Sequence, residues 1–185
     1  IHNPVTENMI RSGEGIPTIE VTEDKYYNTP TGTFKTQGMK NFHNLFVKRL
    51  LISGVSKRGD NLIDLTCGKG GDLAKWIESK LSFVFGIDIS SDNLENRIDG
   101  ACSRYLNTRK EFKNVPSALF VNGNSGFNIK NGTALLNDKA KQITNAIFGV
   151  GKKDEETLGK GVYKQFGAGA NGFDIASCQF AIHYF

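Results

Sequence analysis

NLIDLTCGKGGDL, residues 61–73, begins as a short apolar run, Asn61 to Thr66, and passes straight into glycines. A run of that length bounded by turn residues reads as a buried strand. The glycines let the backbone turn sharply and approach a ligand closely, and the helix expected over Leu73 to Leu81 begins with free N–H donors. A second apolar run, Ser82 to Ile89 (SFVFGIDI), carries Asp88 near its end, about 20 residues after the turn. An acidic side chain at that place captures ribose hydroxyls in nucleotide-type sites. Turn and strand-end acid together indicate a site for a nucleoside ligand.

Two ligand classes fall away at once. No Gly-Lys-Ser/Thr follows with the spacing of a Walker-type phosphate loop. The turn also lacks the G-x-G-x-x-G pattern that seats a pyrophosphate. Asp64 instead places a carboxylate on the strand, able to take a cation beside the ligand. The sulfonium and ammonium of S-adenosylmethionine suit it better than a pyrophosphate does.

Working outward, Met39 to Ser53 places Met39, Phe42, Leu45, Phe46, Leu50 and Ile52 mostly on one helical face. Asn93 to Lys110 reads as a helix interrupted at Gly100, Ala118 to Val121 as a third strand, and Asn137 to Phe148 as another helix. Gly149 to Gly172 holds seven glycines and many charges and reads as a mobile surface loop. Phe173 to Phe180 reads as a fourth strand, apolar on both faces, which calls for sheet neighbours on either side. Alternating strands and helices make an α/β fold, a doubly wound and mostly parallel Rossmann-like sheet. Residues 1–37, rich in Thr, Asn, Gly and Pro, read as an N-terminal arm or linker. Residues 38–185 read as the core of the domain, incomplete at the C-terminus because such sheets usually have more than four strands.

Composition narrows the class further. Of 185 residues, 38% are hydrophobic, and 23 basic residues against 19 acidic give a net charge of +4. That suits a globular domain and allows an anionic ligand without demanding one. No window approaches a membrane span, and Ile1 to Arg11 lack the pattern of a signal peptide. Starting at Ile1, the chain reads as a piece of something longer. Cys67, Cys102 and Cys178 lack metal-ligand spacing and read as reduced, buried thiols; no metal is expected. Trp76 and Phe46 read as core residues.

The motifs are also similar to those of a known family, the mRNA cap guanine-N7 methyltransferases. Leu62 to Trp76 (LIDLTCGKGGDLAKW) resembles that family's D-L-G-C-G-K-G-G-D-L-x-K-W. Asn41 to Ile52 (NFHNLFVKRLLI) resembles its N-F-N-N-W-x-K segment, and Phe173 to Tyr184 (FDIASCQFAIHY) its F-D-x-x-S-C-Q-F-x-x-H-Y strand. Tyr26-Tyr27-Asn28 is similar to its H-Y-N element. The resemblance implies methyl transfer from S-adenosylmethionine to guanine N7 of the mRNA cap. It implies that Gly68 and Lys48 meet the methionine part of the cofactor, that Asp88 holds the ribose, and that Gln179 lines the pocket by its backbone. Asn124-Ser125 would sit beside the adenine, where the family has Asp-Ser. On the RNA side, Asn44 would touch the cap ribose, Lys69 and Arg104 the cap phosphates, and Tyr27, His183 and Tyr184 would frame the guanine. The partners implied are the capped 5′ end of an RNA and, in the forms of large DNA viruses, triphosphatase and guanylyltransferase domains of the same polypeptide. Such a protein would be cytoplasmic, in a viral factory or virion; a cellular form would be nuclear.

Several positions depart from the family pattern. Thr66 replaces the first glycine, so the turn must form without positive φ there. Leu45 and Phe46 replace Asn and Trp, the segment 126–172 is longer than in cellular members, and the family's guanine-recognising carboxylate has no counterpart here. Two other readings of the residues stay open: a methyltransferase for a small molecule or protein, and a non-catalytic, methyltransferase-like stimulatory module. The first gives no reason for the set Lys69, Arg104, His183 and Tyr184, and the intact glycine turn and Asp88 argue against the second.

Overall fold

A computed structural model describes residues 37–185; the expected arm, apart from Gln37, and Tyr27 lie outside the described residues. Four strands form one sheet: β1 (Asn61–Asp64), β2 (Phe83–Asp88), β3 (Ser117–Asn122) and β4 (Ile175–Ser177). Their order is β3-β2-β1-β4, and every pairing is parallel. The chain steps outward from β1 to β3, then returns past β1 to place β4 on its far side. The order therefore reverses between β1 and β4, and in open parallel sheets ligands bind beyond the strand ends at such a point.

Alternation along the strands divides the core into two layers. Leu62 and Val84 turn to one face and pack with Ile52, Trp76 and Tyr105. Ile63, Phe85 and Ile87 turn to the other and pack with Leu135, Ala140 and Ile147. The first layer is covered by α2 (Lys48–Val55), α3 (Leu73–Glu78) and α5 (Ala101–Glu111), the second by α6 (Asp138–Ile147). Tyr105 fastens α5 to the sheet: its hydroxyl donates to the Pro116 carbonyl and accepts from Ala118 N, both at 3.0 Å. Trp76 is fully buried, as expected.

Three expectations need correction, and one is sharpened. The interruption expected at Gly100 divides Asn93 to Lys110 into two helices, α4 (Ser91–Glu95) and α5, separated by a bend that only Gly100 can close. A Cβ there would lie 2.6 Å from the backbone N and O of Asn96. The region 149–172 contains α7 (Glu155–Leu158) and α8 (Lys160–Lys164), and Leu158 and Val162 are buried against Ala146 of α6. Its glycines 149, 151, 159, 167 and 172 take positive φ at the joints of this compact unit, which composition alone does not separate from a loop.

The fourth strand has three residues, pairs with β1 alone among the described residues, and leaves Ala176 exposed between buried Ile175 and Ser177. The chain leaves extended geometry before Phe180, whose φ is +58°.

The N-terminal helix forms, as α1 (Gln37–Phe42), a π-helical turn (His43–Val47) and α2, but only Ile52 of its apolar residues is buried. Phe46, expected in the core, is exposed, as are Met39, Phe42, Leu45 and Leu50, because no described element packs on that face.

Candidate active site

A cavity of about 640 Å³ opens beyond the carboxyl ends of the strands. Its floor is the glycine turn, held by backbone bonds and by buried side chains. Leu65 N donates to the Ser177 carbonyl, and Cys67 N to the Ile87 carbonyl, each at 2.9 Å. Leu65 O accepts from the Ser125 hydroxyl at 2.7 Å, which ties the loop after β3 to the end of β1. Gly68 and Gly70 have positive φ, while Thr66 does not, so the turn forms as its threonine requires. Both Gly68 and Gly71 line the cavity, and a Cβ on either would meet no atom within 4 Å. The glycines keep that space open for a ligand.

Asp88 stands at the end of β2, buried, with its carboxylate turned into the turn. Oδ2 accepts from Gly68 N at 2.7 Å; Oδ1 accepts from Ser90 N at 3.0 Å and from the Asn93 amide at 3.1 Å. A carboxylate offers about four acceptor sites, so one remains, on Oδ2. The structure thus gives Asp88 two tasks: it closes the glycine turn and presents one free acceptor to the cavity. Asn93 is a contributor that sequence reading missed; its signal is its place one helical turn past the strand-end acid.

At the other end of the turn, Lys48 of α2 reaches over to Asp72, Nζ to Oδ2 3.3 Å, and Lys75 holds the other oxygen at 2.8 Å. Asp72 was quoted in the turn without a role; it pairs the helix to the floor. Asp64 lies behind this pair and does not line the cavity. Its Oδ1 accepts from Thr66 N at 3.1 Å. Burial, reinforced by the neighbouring Asp72 charge, pushes its carboxyl up to about 7, against the opposing pull of the Thr66 N–H and of Lys48. Burial likewise raises the Cys67 thiol well above its ordinary value, which keeps it a neutral wall residue rather than a nucleophile.

The remaining expected residues divide. Asn44, Lys69, Arg104, Asn124, Ser125 and Gln179 all line the same cavity. Asn124 Oδ1 accepts from Gly126 N at 2.9 Å, so its carbonyl is turned onto its own loop. Arg104 Nη1 donates to the Lys69 carbonyl at 3.1 Å. His183 lies exposed on the 3₁₀ turn Ile182–Tyr184 and is not in the lining; Tyr184 closes that turn. Two aromatic residues meet beside these. Phe180 lines the cavity from a left-handed backbone conformation that a bulky residue rarely adopts, and His43 stacks on it with ring centroids 4.8 Å apart. Lys48 Nζ lies 5.9 Å from the same ring. A strained aromatic at a cavity is a functional signature that only the fold reveals.

These residues fit S-adenosylmethionine. The open glycine floor leaves room for its methionine part, the Lys48–Asp72 pair offers a cation and an anion for that zwitterion, and Asp88 keeps an acceptor for a ribose hydroxyl. The comparisons with known proteins agree. The model of the mRNA (guanine-N(7))-methyltransferase domain matches residues 32–185. A probable mRNA-capping enzyme of Acanthamoeba polyphaga mimivirus is 32% identical over all of this chain, which covers 16% of that protein. An mRNA cap guanine-N(7) methyltransferase 1 of Arabidopsis thaliana is 30% identical over 76% of the chain and 29% of its own length. The corresponding protein of Saccharomyces cerevisiae is 39% identical over 38% of the chain and 15% of its own length. The chain thus spans less than a third of these relatives. With the parallel sheet, the glycine floor and Asp88 in place, the chain belongs to the mRNA (guanine-N7)-methyltransferase family.

Proposed function

We propose that this protein methylates guanine N7 of the 5′ cap of mRNA, and that it does so as part of a longer polypeptide carrying other capping steps. The observation that carries the reading is the shared cavity: Gly68 and Asp88 on its floor face Asn44, Lys69 and Arg104 on its rim. Bound at the floor, S-adenosylmethionine supplies a methyl group already activated by its sulfonium. Guanine N7 has a lone pair and no proton to lose, so no general base is required of the protein. None of the lining side chains is needed as a nucleophile either.

What remains for the chain is placement. Lys48 and Asp72 fix the methionine end, Asp88 the ribose, and Lys69 and Arg104 take the cap phosphates. Holding both partners in line removes orientational entropy worth up to about 7–11 kcal/mol of barrier. Positive charge passes to the guanine ring during transfer, and the carboxylates of the cavity wall favour it there. The mimivirus relative, a probable mRNA-capping enzyme of which this chain matches only 16%, supports placing the domain in a fused capping protein.

The test is transfer of radioactive methyl from S-adenosylmethionine to RNA ending in a guanosine cap, beside the same RNA ending in a plain triphosphate. Label on the capped RNA alone is the expected result. Label on neither, with cofactor bound, would remove the reading in favour of a binding module.

A further inference from the structure

Lys69, the lysine within the glycine turn, is already engaged. Its Nζ lies 2.8 and 3.0 Å from the two carboxylate oxygens of Asp99, with Asp92 Oδ2 at 4.0 Å. Asp99 lines the cavity from the bend between α4 and α5. That bend is tightly made. The Asn96 side-chain oxygen accepts from Ile98 N at 3.0 Å and from Asp99 N at 3.4 Å. Gly100 N donates to the Asn96 carbonyl at 2.9 Å, in space that a Cβ would fill. Arg104 N donates to the Gly100 carbonyl at 2.9 Å, so the same bend starts the helix that delivers Arg104 to the rim. Two cations and the Asp99 carboxylate are therefore fixed together at the cavity mouth, with Asp92 at the edge of ion-pair distance.

A carboxylate that grips an ammonium with both oxygens offers the contacts a phosphate would offer. We infer that Asp99 is an internal stand-in for substrate phosphate at Lys69, which a phosphorylated ligand must displace in order to bind. This deepens the proposed function, since it rests on Lys69 as a phosphate contact. Asp99 touches no reacting atom; it competes with the ligand. A ligand with one weak anionic group gains little, because one carboxylate leaves as one anion arrives. A polyphosphate brings several charges to Lys69 and Arg104 at once and still gains from the exchange. Guanosine itself carries no anion to displace Asp99, so the carboxylate weakens phosphorylated ligands alone. The pair is partly exposed, Lys69 30% and Asp99 54%, so removing the competitor changes binding by about two- to fivefold and no more.

The experiment compares wild type, Asp99→Asn, Lys69→Ala and the double variant. It titrates each with inorganic triphosphate, with a guanosine cap dinucleotide and with guanosine, at low and high salt, and follows S-adenosylhomocysteine affinity as a control of fold. Asp99→Asn is expected to tighten triphosphate and cap dinucleotide about two- to fivefold, to leave guanosine unchanged, and to lose its effect in high salt and in the Lys69→Ala background. Weaker or unchanged triphosphate binding in Asp99→Asn, with Lys69→Ala weakening it, overturns the inference and makes Asp99 a support for Lys69. Unchanged binding in Lys69→Ala overturns it by removing the phosphate contact itself. Because these are binding readouts, they stand whether or not methyl transfer to the cap is found.

Discussion

The two walls of the cavity are built differently. The floor, from Asp64 to Asp72 with Asp88 beneath it, is held by backbone bonds to β2 and β4 and by buried carboxylates. The helical wall, residues 37–55, leaves Met39, Phe42, Leu45, Phe46, Leu50, Leu51 and Val55 each more than half exposed. It touches the rest of the molecule through the Ile52 side chain, the Lys48–Asp72 and Arg49–Glu78 ion pairs, and the His43–Phe180 stack. A floor made of backbone holds one cofactor in one place. A wall made of side chains, interrupted by a π-helical turn, can shift without disturbing it. Apart from Lys69, the proposed phosphate contact, and Lys48, which pairs with Asp72, substitutions on the floor should therefore affect cofactor binding and stability, and those on the wall the substrate.

The severest test of that contrast is Asp88→Ala. It removes an acceptor from the cavity and orphans Gly68 N, Ser90 N and the Asn93 amide. The lost charged acceptor, worth about 1.5–3 kcal/mol to a ribose hydroxyl, should lower cofactor affinity by roughly tenfold to a hundredfold, and the orphaned donors should lower stability besides. Calorimetry with S-adenosylhomocysteine reads this, and unchanged affinity would erase the distinction between the walls.

The floor was legible from sequence because its logic is local. A strand, a glycine turn and an acid 20 residues on specify each other through backbone geometry, whatever packs around them. Phe180 and Asp99 were not legible, because their roles arise where segments distant in sequence meet. The apolar face of Met39 to Ser53 is legible as a pattern, but Phe46, expected in the core, is exposed. Periodicity says which residues share a face, not whether another element covers it. The glycines of 149–172 hid Leu158 and Val162, two buried anchors spaced four apart across a helix break.

A smaller effect should follow from pH. The buried Asp64 carboxyl, raised to about 7 in the fold, holds its proton where the unfolded chain has lost it. Its contribution is fully present below about pH 4 and is lost as pH rises through 7; at pH 8 the ionised group opposes folding. Asp64→Asn keeps the acceptor for Thr66 N and removes that charge. Its net gain at pH 8 should be on the order of 1–2 kcal/mol, since the new amide group is left to find a partner. Thermal melts should show the advantage of Asp64→Asn shrinking as pH falls toward 4. A constant difference across that range would place the ionisation elsewhere.

The slightest change belongs to the contact between the helical wall and Phe180. Phe180→Ala removes the ring that His43 stacks on, an aromatic pair worth about 0.5–1.5 kcal/mol beyond its buried area. The KM for capped RNA should rise severalfold, while S-adenosylhomocysteine affinity stays within about twofold. Equal losses in both would show that the helical wall and the floor move as one.

Most direct of all is the position of the transferred methyl group. After reaction of the wild-type protein with capped RNA, the cap is released by nuclease and identified by mass and chromatography. The expected product is 7-methylguanosine, formed by wild type and absent with Asp88→Ala. A methyl group on a ribose oxygen, or on another guanine atom, would contradict the account.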